Sequence, residues 1–305
     1  MKKFVMQFIR RINFLLVRIY VLWQRLWTTI RYKNKTERKK QFKQARYKAE
    51  KAYLKRYLSD VLKSSNVADK PHEMPKIIWT CWWQGEKNMP PVVKCCIEAM
   101  RKYCPDYEVR VITFDNMKDY IELPDYIMQK HKKGYISPTH LSDILRVSLL
   151  AKYGGFWMDA TVFLTAPLPE MISDAPFFAF HGHELYQGQS WFLKANKNNV
   201  IMTLLQQVLF AYWQYENKIL NYFLFYLAFD LVIEENHDCA VIWQNTPLIY
   251  DDCYELESAY FDAYSPQKWE DIKARTSIHK LSWKYKKEPP ENSFLQYLLD
   301  GKLEN

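Results

Sequence analysis

Leu141–Thr161, LSDILRVSLLAKYGGFWMDAT, is the stretch from which the fold of this chain is read. Just before it, Ser137-Pro138 reads as a helix start, a capping hydroxyl followed by a ring that presets φ and lacks only an N–H that would go unpaired. The helix is expected to run to Tyr153 and to stop at Gly154-Gly155, where left-handed geometry is inexpensive. At 100° per residue Leu141 and Leu145 share one face, while Ile144, Val147, Leu149 and Leu150 occupy most of the rest, so the helix is expected to be largely buried. Asp143 and Arg146 lie three apart on the side opposite Leu141, and buried charges must be paired or engaged with something. Phe156-Trp157-Met158 then reads as a short buried strand that delivers Asp159 at its C-terminal end, where open α/β sheets hold their ligands.

Working outward, Pro75–Cys81 reads as a first buried strand, followed by Trp82-Trp83-Gln84-Gly85. A helix is expected from Pro90-Pro91 to Tyr103, a strand over Tyr107–Phe114, and helical structure over Asp115–Lys132. That β-α-β-α-α-β order predicts an α/β fold with a mostly parallel central sheet flanked by helices. No GxGxxG or Walker loop is present, which speaks against a Rossmann dehydrogenase or a P-loop kinase. Past Asp159, strands are expected at Val162–Leu164, Phe177–Phe180 and Ser190–Asn196, and helices at Val200–Tyr215 and Ile219–Glu235. The many aromatic residues of those two helices read as core before they read as a sugar platform. His181 and His183 share a face if extended, without a third convergent ligand, and Cys239–Arg275 carries no sharp signal.

Ser142-Asp143 with Arg146, then Tyr153-Gly154-Gly155, then Trp157-x-Asp159-Ala160-Thr161, resembles the SD-x-x-R…GG-(I/F)-(W/Y)-x-D-x-(D/T) core of glycosyltransferase family 32. The likeness is to its capsular-polysaccharide branch, runs from about Pro75 to Thr165, and returns weakly near His279. It implies a GT-A nucleotide-sugar-binding fold over 75–305 and transfer of a hexosyl group, with retention, from a nucleotide-sugar donor to a lipid-linked or oligosaccharide acceptor. A leaving diphosphate needs positive charge beside it, usually Mg²⁺ or Mn²⁺. The resemblance makes Asp159 the first metal ligand, with Thr161 where a second carboxylate would stand and His279 as a further ligand. It makes Lys280 and Lys284 diphosphate contacts, and Asp143 and Arg146 contacts to donor-sugar hydroxyls, with an i,i+3 structural ion pair as the alternative. Trp82, and after it Trp79, are the aromatic residues for the base, since stacking is worth about 1–3 kcal/mol; three Trp within five residues are equally a core-packing pattern. Were the enzyme inverting, Glu184 and Asp230 are candidate bases by position alone.

The net charge of +9 is uneven: residues 1–60 carry +15 and the remainder −6. Residues 1–31 are rich in Phe, Leu, Ile, Val and Trp, yet after Arg10 no uncharged run exceeds six residues. A spanning helix needs about 20 apolar residues, so crossing a membrane is disfavoured. Arg11, Arg18 and Arg25 recur every seven as one stripe, which suits a helix lying in an anionic interface. A helix packed on the protein's own body or on a partner is the alternative, and a nucleic-acid contact is not expected. Residues 1–60 are thus read as a basic helical membrane-association extension, with 61–74 as linker. Six cysteines, without a CxxC pair or zinc-type His spacing, read as reduced thiols. The expected location is the cytoplasm, peripherally on the inner face of the inner membrane. The competing reading, suggested by Thr161, is an inactive GT-A-like module acting as an interaction partner in a membrane assembly complex.

Overall fold

The chain lays down its central sheet out of sequence order, and a late strand enters it between two earlier ones. The computed structural model describes residues 2–63, 75–183, 185–285 and 287–304. It begins with α1 (Lys2–Arg31) and α2 (Lys35–Leu62), followed by β1 (Ile77–Cys81), α3 (Pro91–Tyr103) and β2 (Glu108–Ile112). Next come α4 (Met117–Tyr120), α5 (Asp125–Lys132), α6 (Pro138–Tyr153), β3 (Gly155–Met158), β4 (Val162–Leu164) and α7 (Glu170–Ser173). Then follow β5 (Phe177–His181), β6 (Gly188–Ala195), α8 (Val200–Tyr215), α9 (Leu224–Glu235) and α10 (His237–Gln244). The chain closes with α11 (Glu255–Ser258), α12 (Pro266–Arg275), β7 (Ile278–Lys280) and α13 (Phe294–Leu299).

The five-stranded sheet has the order β2-β1-β3-β6-β5. β1 is parallel to β2 and β3, and β6 alone runs against its neighbours. The mostly parallel α/β sheet expected from the sequence is therefore present. Its strands alternate between two cores, as a sheet buried on both faces must. Trp79 and Trp157 point into a cluster with Leu145, Leu205 and Phe225, while Ile78, Phe156 and Met158 point into one with Val93, Phe178 and Phe192. A separate antiparallel pair, β4 with β7, carries Phe163 into a third cluster with Trp269 and Phe294.

The central helix forms for the reasons its sequence gives. Ser137 caps it through a hydroxyl that accepts from His140 N–H, and Pro138 opens it. Gly154 and Gly155 follow at φ +76° and +97°, and a Cβ on either would come within 2.6 Å of backbone atoms of Lys197 and Ile77 respectively. Only glycine fits both the torsion and the close approach. The helix expected over Asp115–Lys132 is instead two short ones, α4 and α5, because Pro124 interrupts it.

The basic α2 is not a solvated spacer. Tyr53, Leu54, Leu58 and Leu62 are buried in the same cluster as α8 and α9, and Lys51 and Lys55 pair with Glu234 and Glu235 of α9. α1 packs on α2: Arg10 meets Glu216 at 2.6 Å, and that carboxylate also accepts from the Tyr53 hydroxyl. The helices of the expected 1–60 extension thus share the body's core, and the expected 61–74 linker lies, from residue 64 onward, outside the described residues. Among the described residues no helix is long and apolar enough to cross a membrane. None of the six cysteines forms a disulfide.

Candidate active site

Asp159 leaves the end of β3 and is fixed there by its N–H, which donates to Trp191 O on β6 at 2.8 Å. Two residues back on the same face of the strand, the Trp157 indole donates to Asp159 Oδ1 at 3.0 Å. Arg146 reaches up from α6, with one guanidinium nitrogen 3.3 Å from Asp159 Oδ1 and 3.3 Å from Asp143 Oδ1. Its other terminal nitrogen donates to Ser190 O at 2.7 Å, and its plane lies over the Trp157 ring. The Arg146 Nε is buried without a hydrogen-bond partner among the described residues. From the opposite side, Lys280 of β7 donates to Asp159 Oδ2 at 2.8 Å and to Thr161 Oγ1 at 2.9 Å.

The two carboxylates are shifted in opposite directions. Burial alone would raise the Asp159 pKa, but Lys280, then Arg146, outweigh it and hold the group below the ordinary Asp value. Burial dominates at Asp143 and pushes it up to about 6, against the opposing pull of Arg146 and His140. Burial would also lower Arg146, yet Asp159 and Asp143 keep it above its ordinary value and therefore charged. Two carboxylates with oppositely shifted pKa values thus flank one buried cation, and perturbed titratable groups of this kind gather at functional sites.

The structure brings together Asp143, Arg146, Asp159, Thr161 and Lys280. It does not bring His279 to them. In a strand neighbouring side chains face opposite ways; Lys280 faces Asp159, so His279 turns into the third core cluster, between Phe163 and Trp269. It is fully buried, its Nε2 lies 3.3 Å from Thr165 Oγ1, and burial pushes its pKa down to about 4. The expected metal ligand is a core histidine, and the residue beside it is the one at the site.

Trp79 is likewise core: fully buried, packed on Tyr120 and Tyr153, its indole donating to Gly154 O at 3.0 Å. It braces the helix-to-strand turn rather than facing a ligand. Trp82 is half-buried and makes an edge contact with Trp283, over which Lys284 lies at 5.1 Å. His181 stacks on Trp243, whereas His183 pairs with Asp252 at 2.7 Å, so the two do not converge. Asp230 is fully buried and accepts from the Tyr47 hydroxyl and the Gln187 N–H, which leaves it no acceptor to serve. Glu184 lies outside the described residues.

A divalent ion does not fit the donor set as it stands. Mg²⁺ and Mn²⁺ call for several oxygen ligands; here the Asp159 carboxylate and the Thr161 hydroxyl are both bonded to the Lys280 ammonium, and the second carboxylate, Asp143, is turned to Arg146. Among the described residues no group of three or more His, Cys, Asp or Glu side chains is placed to hold a metal. The sequence points to Lys280 and Trp157 but not to the bonds they make to Asp159. It misses the Ser190 carbonyl and Tyr226, whose hydroxyl takes the Ser190 hydroxyl proton at 3.0 Å. The i,i+2 spacing of Trp157 and Asp159 was the one available signal for the indole.

An acidic side chain at the C-terminal end of a strand, held between two cations, stands where open α/β sheets bind their ligands. The chain belongs to the family of capsular polysaccharide synthesis proteins, whose model matches residues 30–298. It is 27% identical over 121 residues to O-glycosyltransferase PaGT of Phomopsis amygdali, covering 37% of this chain and 30% of that protein. It is 31% identical over 103 residues to O-glycosyltransferase braB of Annulohypoxylon truncatum, covering 31% of this chain and 24% of that one. The chain therefore matches less than a third of the length of either relative. Among solved structures, a PaToxG glycosyltransferase aligns over 75% of this chain and 94% of its own, at 16% identity and a TM-score of 0.37.

Proposed function

We propose that this protein transfers a hexosyl group, with retention, from a nucleotide-sugar donor to a lipid-linked or oligosaccharide acceptor, as a step in building a surface polysaccharide. The observation that carries the reading is the convergence of Lys280 and Arg146 on Asp159. Sugar transfer builds negative charge on the leaving diphosphate, and fixed positive charge beside it lowers the barrier. An ammonium has three N–H donors; Lys280 spends two on Asp159 and Thr161, and the third is available to a phosphate oxygen. Asp159 orients that ammonium. Asp143 and Arg146 receive the sugar hydroxyls, one accepting and the other donating. Trp82, with Trp283 at its edge, offers the base a flat apolar face.

In this reading the reaction takes place at the cytoplasmic face of an anionic membrane, and the exposed face of α1 is what supports it. Arg10, Phe14 and Thr28 turn toward the body. At 100° per residue the exposed Phe8, Ile12, Leu15, Ile19, Leu22, Trp23 and Leu26 lie on the opposite side. Arg11, Arg18 and Arg25 border that apolar face, the arrangement of a helix seated in an interface. The test is nucleotide release from a panel of nucleotide-sugars by the wild type and by Asp159→Ala. Release that the substitution abolishes supports the reading; no release and no donor binding would favour an inactive partner module. Flotation with phosphatidylglycerol vesicles checks the membrane half.

A further inference from the structure

A second feature lies next to this centre and belongs to none of the residues discussed for the donor. A cleft of about 1220 Å³ opens between α2, residues 182–183 and 185–186, the start of α9 and the segment 251–258. Ligand sites for small molecules run to about 300–1,000 Å³, so this one is large enough for more than a single sugar. Its floor is a run of touching aromatic rings: Tyr47 of α2 on Tyr186 at 5.6 Å, and Tyr186 on Tyr226 at 5.2 Å. Tyr226 ends the run beside the donor centre, since its hydroxyl is bonded to Ser190, whose carbonyl accepts from Arg146. Tyr254, on another wall, packs edge-on against Trp191, the ring beneath the Lys280 ammonium. The cleft therefore leads inward to the reacting end of β3.

The walls match the two surfaces of a saccharide. Aromatic faces pack against the apolar C–H face of a pyranose, and carboxylates accept from its outward hydroxyls. Asp251 and Asp252 supply the carboxylates, and Asp252 is held in place by His183. On the far side Phe42 and Arg46 of α2 form the rim. Helices α1 and α2 run antiparallel, with Asn13 against Tyr57, Phe14 against Tyr53, and Tyr20 beside Gln44 and Ala45. That register brings the exposed, stacked Trp23–Trp27 pair of α1 to the level of the rim along the helix axis, on the outer side of α1.

We propose that this cleft is the acceptor site. It takes an oligosaccharide whose growing end reaches Tyr226 and whose anionic-lipid end leaves over α2, past Arg46, toward the apolar face of α1. The proposal rests on the sugar-transfer reading above. The probe is a panel of octyl glycosides added to the full-length chain with a donor that water slowly hydrolyses, read as nucleotide release. One or more glycosides should accelerate release over water alone. In Phe42→Ala and in Asp252→Asn, the ratio of glycoside-driven to water-driven release should fall by roughly tenfold, the equivalent of one lost stacking or hydrogen-bonding contact. Asp252 is exposed, so its variant stays informative even if Phe42→Ala lowers the unfolding midpoint. A wild-type ratio in both variants overturns the proposal, as does a donor hydrolysed by water that no glycoside accelerates. Either result leaves donor chemistry standing. A wild type that releases nucleotide from no donor removes the proposal together with the reading beneath it.

Discussion

Lys280→Met separates a lysine-based centre from a metal-based one. The ammonium sits 2.8 Å from Asp159, with the two side chains only 17% and 28% exposed. Breaking a buried ion pair by removing one partner costs about 3–5 kcal/mol when nothing else supports the orphan. Here Arg146 at 3.3 Å and the Trp157 indole remain, so the cost should be about half that, ~2 kcal/mol. For a chain of 305 residues that lowers the unfolding midpoint by roughly 3 °C. Catalysis should suffer more than stability, because a single fixed donor to developing charge is worth about 3–4 kcal/mol, or roughly 10²–10³-fold in rate. The assay is nucleotide release with saturating donor, in EDTA and again in Mn²⁺, with Lys280→Arg as the charge-retaining control. The wild type should be indifferent to EDTA, and Lys280→Arg should recover more activity than Lys280→Met. The reasoning is refuted if EDTA silences the wild type and Mn²⁺ restores Lys280→Met to its rate.

Asp143 gives a pH signature: with its pKa pushed up to about 6 by burial, release should fall through a step centred near there as pH drops, and Asp143→Asn should abolish the step. The same raised value means that the neutral form stabilises the fold, so this stabilisation is fully present at low pH and lost as pH rises through about 6; thermal unfolding against pH checks the sign. Trp79 and Trp82 should part company. Trp79→Phe removes the bond to Gly154 O and should cost about 1–2 kcal/mol of stability with donor KM unchanged, whereas Trp82→Ala should raise donor KM by roughly tenfold or more. Deleting residues 2–31 takes Arg10 from the buried Glu216 and Phe14 from Tyr53. It should lower the unfolding midpoint as well as abolish vesicle flotation, where a detached anchor would abolish flotation alone.

The centre was legible where local chemistry dictated it. A capping serine before proline, two glycines and an alternating strand tail place α6, β3 and Asp159 without knowledge of the rest. What escaped depended on pairing between distant segments. In β7 a single step along the strand exchanges a core position for a site position, and only the register of Phe163 against His279 settles which is which. The same parity sends Trp79 inward. α2 hid for another reason: its buried Tyr53, Leu54, Leu58 and Leu62 lie in its last turns among Lys51, Lys55 and Arg56, so charge masks the half that docks. The entry of β6 between β3 and β5 follows from a return of the chain that no local pattern announces.

The knot of Arg10, Tyr53 and Glu216 changes what kind of attachment α1 can be. A leader joined by a loose tether would let its cargo wander above a surface and sample any height. Bolted through a buried carboxylate, α1 is instead a bracket, and a bilayer gripping its outer face would hold the mouth beside α2 at one fixed elevation. A glycan shorter than that elevation would not reach the centre, and a longer one would have to fold back.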